Sequence, residues 1–570
     1  MLRNKKSAYI KWADWVVLLL ILVGLFSLLK LAYYAPTAAK ATPISLGVKY
    51  IPYYAGRSMF RMIMAYLLSI IFSIFYGYTA AKNKLNEKIM LPILDILQSV
   101  PIFAFLPVFV FSLRALIPQG LALEISSILL IFTSQVWNMT FAWYQSLTTI
   151  PKELKEASNI FLLNSWMRFK KLELPFGFVS LVWNSIMSWA GGWFFLIAAE
   201  IFTVGNKNFE LVGLGSYMQE ATYQGNIKAL IMGIVTLIII IVLLDQLVWR
   251  PLLSWAKKFN LEMVSGGAET ETVSWFYPVL RQSKIILWFE ARILKPITAA
   301  MDKFFNKRLS KKKIVVHKED KPGNKKVLMG IGIVAGLALL FGAQRMVAFM
   351  STVKASDYLY ILEGAFATML RVLLSLALSL LWTIPVGVLI GSNKRAALVL
   401  QPLVQIAASV PATAFFPILI LFFIKVPFGI NIAAVVLMIL GTQWYLLFNV
   451  IAGVSTIPQD LRYTASMMRL RKWNYWKTLI LPALFPFIIT GSITASGGAW
   501  NASVIAEYVT THEKTYSTIG LGSIIADATA KSDYPMLFAA AFVMIVFVTC
   551  INRFGWRRLY SLAKEKYKME

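Results

Sequence analysis

The sequence has one cysteine, Cys550, two histidines, His317 and His512, and few acids: 27 Asp and Glu against 56 Lys and Arg. A lone thiol closes no intrachain disulfide, and two isolated imidazoles do not suggest a metal cluster. There is no glycine-rich loop followed by Lys and Ser or Thr, so ATP chemistry has to reside on other chains. No nucleophile, base and orienting group stand together either, and neither a catalytic residue nor a metal ligand is assigned. Charged residues amount to only 15% of the chain, too few to coat a soluble protein.

Apolar residues are plentiful. They make up 58% of the chain, and the mean hydropathy is +0.67. Crossing about 30 Å of hydrocarbon takes roughly 20 apolar residues as helix. Such stretches fall near residues 13–34, 59–81, 90–115, 122–147, 176–203 and 228–249, and again near 327–350, 366–391, 400–424, 428–453, 483–509 and 535–552. The first follows Arg3, Lys5 and Lys6 as a secretion signal would, but it is long and has no clear cleavage site, so it reads as an anchor. The expected fold is an all-α polytopic membrane protein of about twelve transmembrane helices.

Lys and Arg resist translocation, so they mark cytoplasmic loops. The start, the 82–88 loop, the 151–175 loop and the tail with Arg553, Arg557 and Arg558 are basic, whereas 35–56, 205–227 and 510–534 carry few cations for their length. Both termini are expected in the cytoplasm. The net charge of +29 is accounted for by these loops and by anionic lipid headgroups, with no nucleic acid required.

The strongest pattern is a repeat. Arg61 faces Arg371, Pro92 faces Pro402, and Ser99-Val100-Pro101 faces Ser409-Val410-Pro411 in one register. Past a variable loop the register shifts slightly, then pairs Pro151 with Pro458, Trp166 with Trp473, Leu174-Pro175 with Leu481-Pro482, Glu200 with Glu507, and Gly213-Leu214-Gly215 with Gly520-Leu521-Gly522. Residues 1–250 form a first unit of six spans and 327–570 a second. An even number of spans gives both units one orientation, related by a pseudo-two-fold axis along the membrane normal. Residues 251–326 are a basic, aromatic cytoplasmic linker. Its stretch 284–307 mixes cations with aromatic side chains, as in a helix at the headgroup boundary.

Each unit carries a long polar loop before its fifth span, 151–175 and 458–482. In the first, Leu154, Ala157, Phe161 and Leu162 recur at helical spacing, and Asn164-Ser165 offers a turn. These loops resemble the signature of permease subunits in binding-protein-dependent ABC importers: Glu-Ala-Ala, a Gly four residues after the last Ala, then Leu-Pro. Glu156, Ala157 and Ser158 lead to Pro175, with Leu162 in the Gly position; Tyr463, Thr464 and Ala465 lead to Pro482, with Arg469 there. Gly191-Gly192-Trp193 with Glu200, and Gly498-Ala499-Trp500 with Glu507, are similar to the nitrate, sulfonate, taurine and bicarbonate branch. The resemblance implies two loops, each with its Trp166 or Trp473, that dock two separate ATP-binding subunits, a homo- or heterodimer. It also implies an extracytoplasmic solute-binding protein and a bacterial cytoplasmic (inner) membrane location. ATP and Mg belong to the partners, and no cofactor is expected on this chain.

Two prolines six apart, Pro101 and Pro107 and again Pro411 and Pro417, break apolar spans beside Ser99 and Ser409. Freed carbonyls in hydrocarbon need protein or a watery cavity, so these segments are expected to line the route, with a packing kink as the plainer alternative. Arg61, Arg371, Glu200 and Glu507 are four costly charges near the outer ends of their spans. Paired networks bracing an outer gate, an Arg facing an anionic solute, and snorkelling to headgroups all remain open. Trp193 and Trp500 are candidates to flank the cavity. The rival reading is a secondary transporter of major-facilitator-like 6+6 architecture, against which the 82–88 loop lacks the expected Gly, Asp and Arg.

Overall fold

The computed structural model describes residues 44–99, 102, 110–259, 274–278, 291–310 and 341–562, less scattered positions within these ranges. The expected span 13–34, Pro101 and Pro107, and most of the linker lie outside the described residues. So does most of 327–350, which is described from 341 onward.

The fold is helical. In the first half, α1 (Ile51–Lys82), α2 (Lys84–Ser99), α3 (Gln119–Thr148), the loop helix α4 (Lys152–Ile160), α5 (Leu174–Glu200), the short α6 (Leu214–Tyr223) and α7 (Ile227–Leu244) follow in order. Helix α8 (Lys295–Ser310) belongs to the linker. The second half repeats the plan with α9 (Ala355–Ser392), α10 (Lys394–Ser409), α11 (Ala412–Phe423), α12 (Gly429–Ser455), α13 (Gln459–Met467), α14 (Leu481–Ala506), α15 (Leu521–Ala530) and α16 (Tyr534–Cys550). Small antiparallel hairpins, Thr203–Val204 with Lys207–Asn208 and Tyr508–Thr510 with Thr515–Ser517, follow α5 and α14.

Eight helices among the described residues are long and apolar enough to cross a membrane, and α10 with α11 makes a ninth as a pair bent by 72°. They coincide with the expected spans 59–81, 122–147, 176–203, 228–249, 366–391, 400–424, 428–453, 483–509 and 535–552. Composition explains them: residues 62–81 carry no charge at all. Side chains such as Phe75 and Leu381 are 74% and 78% exposed on the outer faces. Lipid, not water, suits such a surface.

One core centres on each half, around Trp193, Tyr217 and Leu237 in the first and Trp500, Phe538 and Met544 in the second, the latter joined by Leu130 and Ala199 from the first half. Close backbone approach also packs the spans within each half, since lipid gives little hydrophobic drive between helices. A Cβ on Gly77 would lie 2.7 Å from Trp143, and one on the matching Gly387 would lie 2.6 Å from Val450. The Leu-Pro of each loop is preceded by a π turn, Phe169–Glu173 and Trp476–Ile480. Pro175 and Pro482 donate no amide hydrogen and crowd the preceding turn, and a widened turn keeps loop and span continuous.

Candidate functional site

The last residue of α5 is a fully buried carboxylate, and so is its counterpart just past α14. Glu200 Oε1 receives Arg61 Nη1 at 2.7 Å and Ser58 Oγ at 2.7 Å, while Oε2 receives the Gly215 amide at 2.7 Å. Ser58 in turn accepts the Leu214 amide at 2.9 Å. The carboxylate and hydroxyl thus satisfy the orphan amides at the start of α6, where the helix dipole favours negative charge. Gly213 makes the approach possible, because a Cβ there would lie 2.3 Å from the carboxylate. Every part recurs in the second half. Glu507 receives Arg371 Nη1 at 2.7 Å, Thr368 Oγ1 at 2.8 Å and the Gly522 amide at 2.9 Å, and Thr368 accepts the Leu521 amide at 2.9 Å.

The two clusters differ on their other side. Arg61 also grips Glu124 of α3 through Nε at 2.6 Å and Nη2 at 2.8 Å, a bidentate pair that Arg57 joins. At the matching place Arg371 meets neutral Asn431, at 2.7 Å from Nη2, together with Thr518 at 2.9 Å. The sequence reading singled out the four charges but not Ser58, Thr368, Glu124, Asn431 or Arg57. Glu124 carried a usable signal, an acid inside an expected span. Ser58 and Thr368 were visible only as hydroxyls in register.

Between the halves lies a chamber of about 70 Å³. Met187, Gly191, Phe194 and Phe195 come from α5; Val410, Pro411 and Ala412 from the break between α10 and α11; Gly441, Trp444, Tyr445 and Phe448 from α12; Gly498 and Ala502 from α14. Pro411 therefore borders open space. The side chains of Ser99, Ser409 and Pro417 lie outside the described residues. Trp193 and Trp500 do not line this chamber; they are 0% and 1% exposed in the cores of their own halves. One residue advances a helix by about 100°, so Phe194 turns inward where Trp193 turns away. Across the halves, the amide of Ile102 donates to Asn501 Oδ1 at 2.7 Å.

The polar loops end their short helices alike. After α4, Leu162 N–H donates to Asn159 O at 3.0 Å and Leu163 N–H to Ser158 O at 3.1 Å; after α13, Arg469 donates to Ser466 at 3.0 Å and Leu470 to Ala465 at 3.0 Å. This is the Schellman pattern, whose C′ residue is left-handed and usually Gly. Leu162 has φ 49° and Arg469 φ 51°, so both positions that depart from the family's Gly keep the Gly conformation. Ser158 and Ala465 are buried, Glu156, Tyr463 and Thr464 are exposed, and the tips stand clear, with Phe161 at 76% and Met467 at 84% exposure. Trp473 is exposed. Trp166 donates through Nε1 to Asp302 of α8 at 2.7 Å, and Lys170 reaches the other oxygen at 2.7 Å.

A polytopic helical protein with two matched halves, a chamber between them and two projecting polar loops has the build of a membrane transport component. The chain belongs to the family of binding-protein-dependent transport system inner membrane components, whose model matches residues 69–248 and 383–555. It is similar to the bicarbonate transport system permease protein CmpB of Synechococcus elongatus, 33% identical over 163 residues, which is 28% of this chain and 55% of that protein. It is 31% identical over 182 residues to the nitrate import permease protein NrtB of Leptolyngbya laminosa, covering 32% and 61%. It is 26% identical over 246 residues to the putative aliphatic sulfonates transport permease protein SsuC of Bacillus subtilis, covering 41% and 84%. The chain spans less than two-thirds of the length of the first two relatives. The family match disfavours the secondary-transporter reading.

Proposed function

We propose that this chain is the complete membrane pathway of an ATP-driven importer, two permease units fused in one polypeptide. The observation that carries this reading is the paired loop. Both copies combine the signature spacing, the left-handed residue at its Gly position and an exposed tip, on a chain whose two halves each match the permease family. The loops 151–175 and 458–482 face the cytoplasm with both termini and receive force from two ATP-binding subunits, which hold ATP and Mg. A solute-binding protein delivers cargo on the opposite side, and the Arg61–Glu200 and Arg371–Glu507 clusters brace the outer gate. The solute is of the small anionic kind named for the relatives.

Reconstitution of the full chain with its ATPase subunits in proteoliposomes tests this. Loaded binding protein should raise ATP hydrolysis, and uptake should require ATP. Uptake driven by an ion gradient without ATPase subunits would overturn it.

A further inference from the structure

The same two side chains recur in both polar loops at one spacing. Trp166 is the second residue of the short helix Ser165–Arg168, and Lys170 is the second residue of the π turn Phe169–Glu173. Trp473 and Lys477 hold those places in Lys472–Tyr475 and Trp476–Ile480. Four residues apart along a helix, an indole N–H and an ammonium share one face and can meet a single acceptor. In the first loop they do. Trp166 Nε1 donates to one oxygen of Asp302 at 2.7 Å and Lys170 Nζ to the other at 2.7 Å, where α8 packs against Ser165–Arg168. In the second loop Trp473 is 67% exposed, Lys477 is exposed, and no carboxylate among the described residues reaches either. Charge sharpens the contrast. Residues 458–482 carry five cations, Arg462, Arg469, Arg471, Lys472 and Lys477, against one acid, Asp460, whereas 151–175 sets five cations against three acids before Asp302 adds a fourth.

We infer that the Trp–Lys pair of each loop is a carboxylate receptor, filled from within by Asp302 at the first loop and by an acidic side chain of the docked ATP-binding subunit at the second. This deepens the importer reading and rests on it for the partner. The first copy shows what the pair takes, both oxygens of one carboxylate, and the second presents the same donors outward near an exposed tip, Met467. The surplus of positive charge on that loop complements an acidic partner face. Trp and Lys also anchor helices at lipid headgroups, and the Asp302 contact in the first copy is what favours a protein carboxylate here. The two docks are therefore not equivalent. Helix α8 is part of the first, whose subunit meets a pair already supplied with its acid, while the second subunit brings its own. Two identical subunits would find a free receptor at one loop only.

The test is zero-length carbodiimide cross-linking of the full chain in complex with its co-purified ATP-binding subunits, read by mass spectrometry. The reagent joins an ammonium to a carboxylate only where the two touch. Lys170 should link to Asp302, and Lys477 should link to an Asp or Glu of an ATP-binding subunit. Trp473→Phe and Lys477→Met, both at exposed positions and so without cost to folding, should each weaken subunit binding about three- to tenfold, the loss of one hydrogen bond. Lys477→Glu should lose more than Lys477→Met, because it sets two carboxylates together. A Lys477 link to a carboxylate of this chain, or no Lys477 link where the Lys170 to Asp302 link forms, would overturn the receptor. So would equal losses with Met and Glu, or subunit affinity indifferent to every substitution, as a lipid-facing pair would give. Each of these leaves the importer reading standing. A wild-type chain with which no ATP-binding subunit co-purifies would instead sink the importer reading, and the receptor with it.

Discussion

A carboxylate moved from water into a membrane protein's core survives ionised only if the protein replaces its hydration. Among the described residues Glu507 has one cation to do so, Arg371, whose other partners there are neutral. Removing that carboxylate's charge leaves a mostly buried guanidinium uncompensated, so Glu507→Gln should destabilise by roughly 3–5 kcal/mol. Glu200→Gln should cost less, because Arg61 keeps its bidentate pair with Glu124. The order of apparent melting temperatures in detergent checks this; equal losses would show that Glu124 does not compensate. Gly213→Ala acts on the same atoms, since its Cβ would sit 2.3 Å from Glu200. Its effect and that of Glu200→Gln should therefore fall well short of additive, as expected for residues in contact. At this scale the sequence shows which charges are too costly to lie in lipid alone. It shows Gly213 only as part of a repeated Gly-Leu-Gly and Ser58 not at all, because a hydroxyl or a missing Cβ acquires its role only once the fold brings α6 against α1.

Helix ends decide the behaviour of the loops. A non-glycine residue held at φ near 50° pays about 1 kcal/mol or more of local strain. Leu162→Gly and Arg469→Gly should each be neutral to stabilising by up to about 1 kcal/mol, the relief being offset by glycine's extra unfolded freedom. Leu162→Val, β-branched at the same φ, should destabilise; thermal unfolding of the three variants checks the ordering. The sequence marks these positions as departures from a spacing pattern, while the left-handed turn that makes the pattern physical is seen only in the backbone. The linker contact was not legible at all, because Asp302 is far in sequence from Trp166 and Lys170. The Lys170 ammonium, then the Trp166 indole, hold the Asp302 carboxyl below its usual range. A lowered folded value means the contact's contribution is present above the ordinary carboxylate range and is lost as pH falls through the folded value. Protection of the linker from limited proteolysis should accordingly persist at neutral and mildly acidic pH and vanish only in stronger acid. Asp302→Ala should remove it at pH 7, and cleavage rates unchanged by that substitution would dismiss the clamp.

Comparison of the halves exposes a rule that neither half shows alone. The first cluster holds Arg57, Arg61, Glu124 and Glu200; the second holds Arg371 and Glu507, with Ala367 and Asn431 at the places of Arg57 and Glu124. One cation and one anion have gone together, so both clusters stay neutral. The repeated register was readable in the sequence, yet this exchange was not, because nothing linear connects position 57 with position 124. If neutrality is what the fold requires, Asn431→Glu alone should destabilise by adding a carboxylate with no cation of its own, and Ala367→Arg alone should do less, since position 367 is itself only half-buried and a long side chain there can reach outward. The double variant, which writes the first cluster into the second, should recover most of the loss, with a coupling energy of about 0.5–3 kcal/mol between contacting charges. Melting temperatures of the four proteins close the cycle. Strict additivity would mean that the two clusters diverged independently and that charge balance does not govern them.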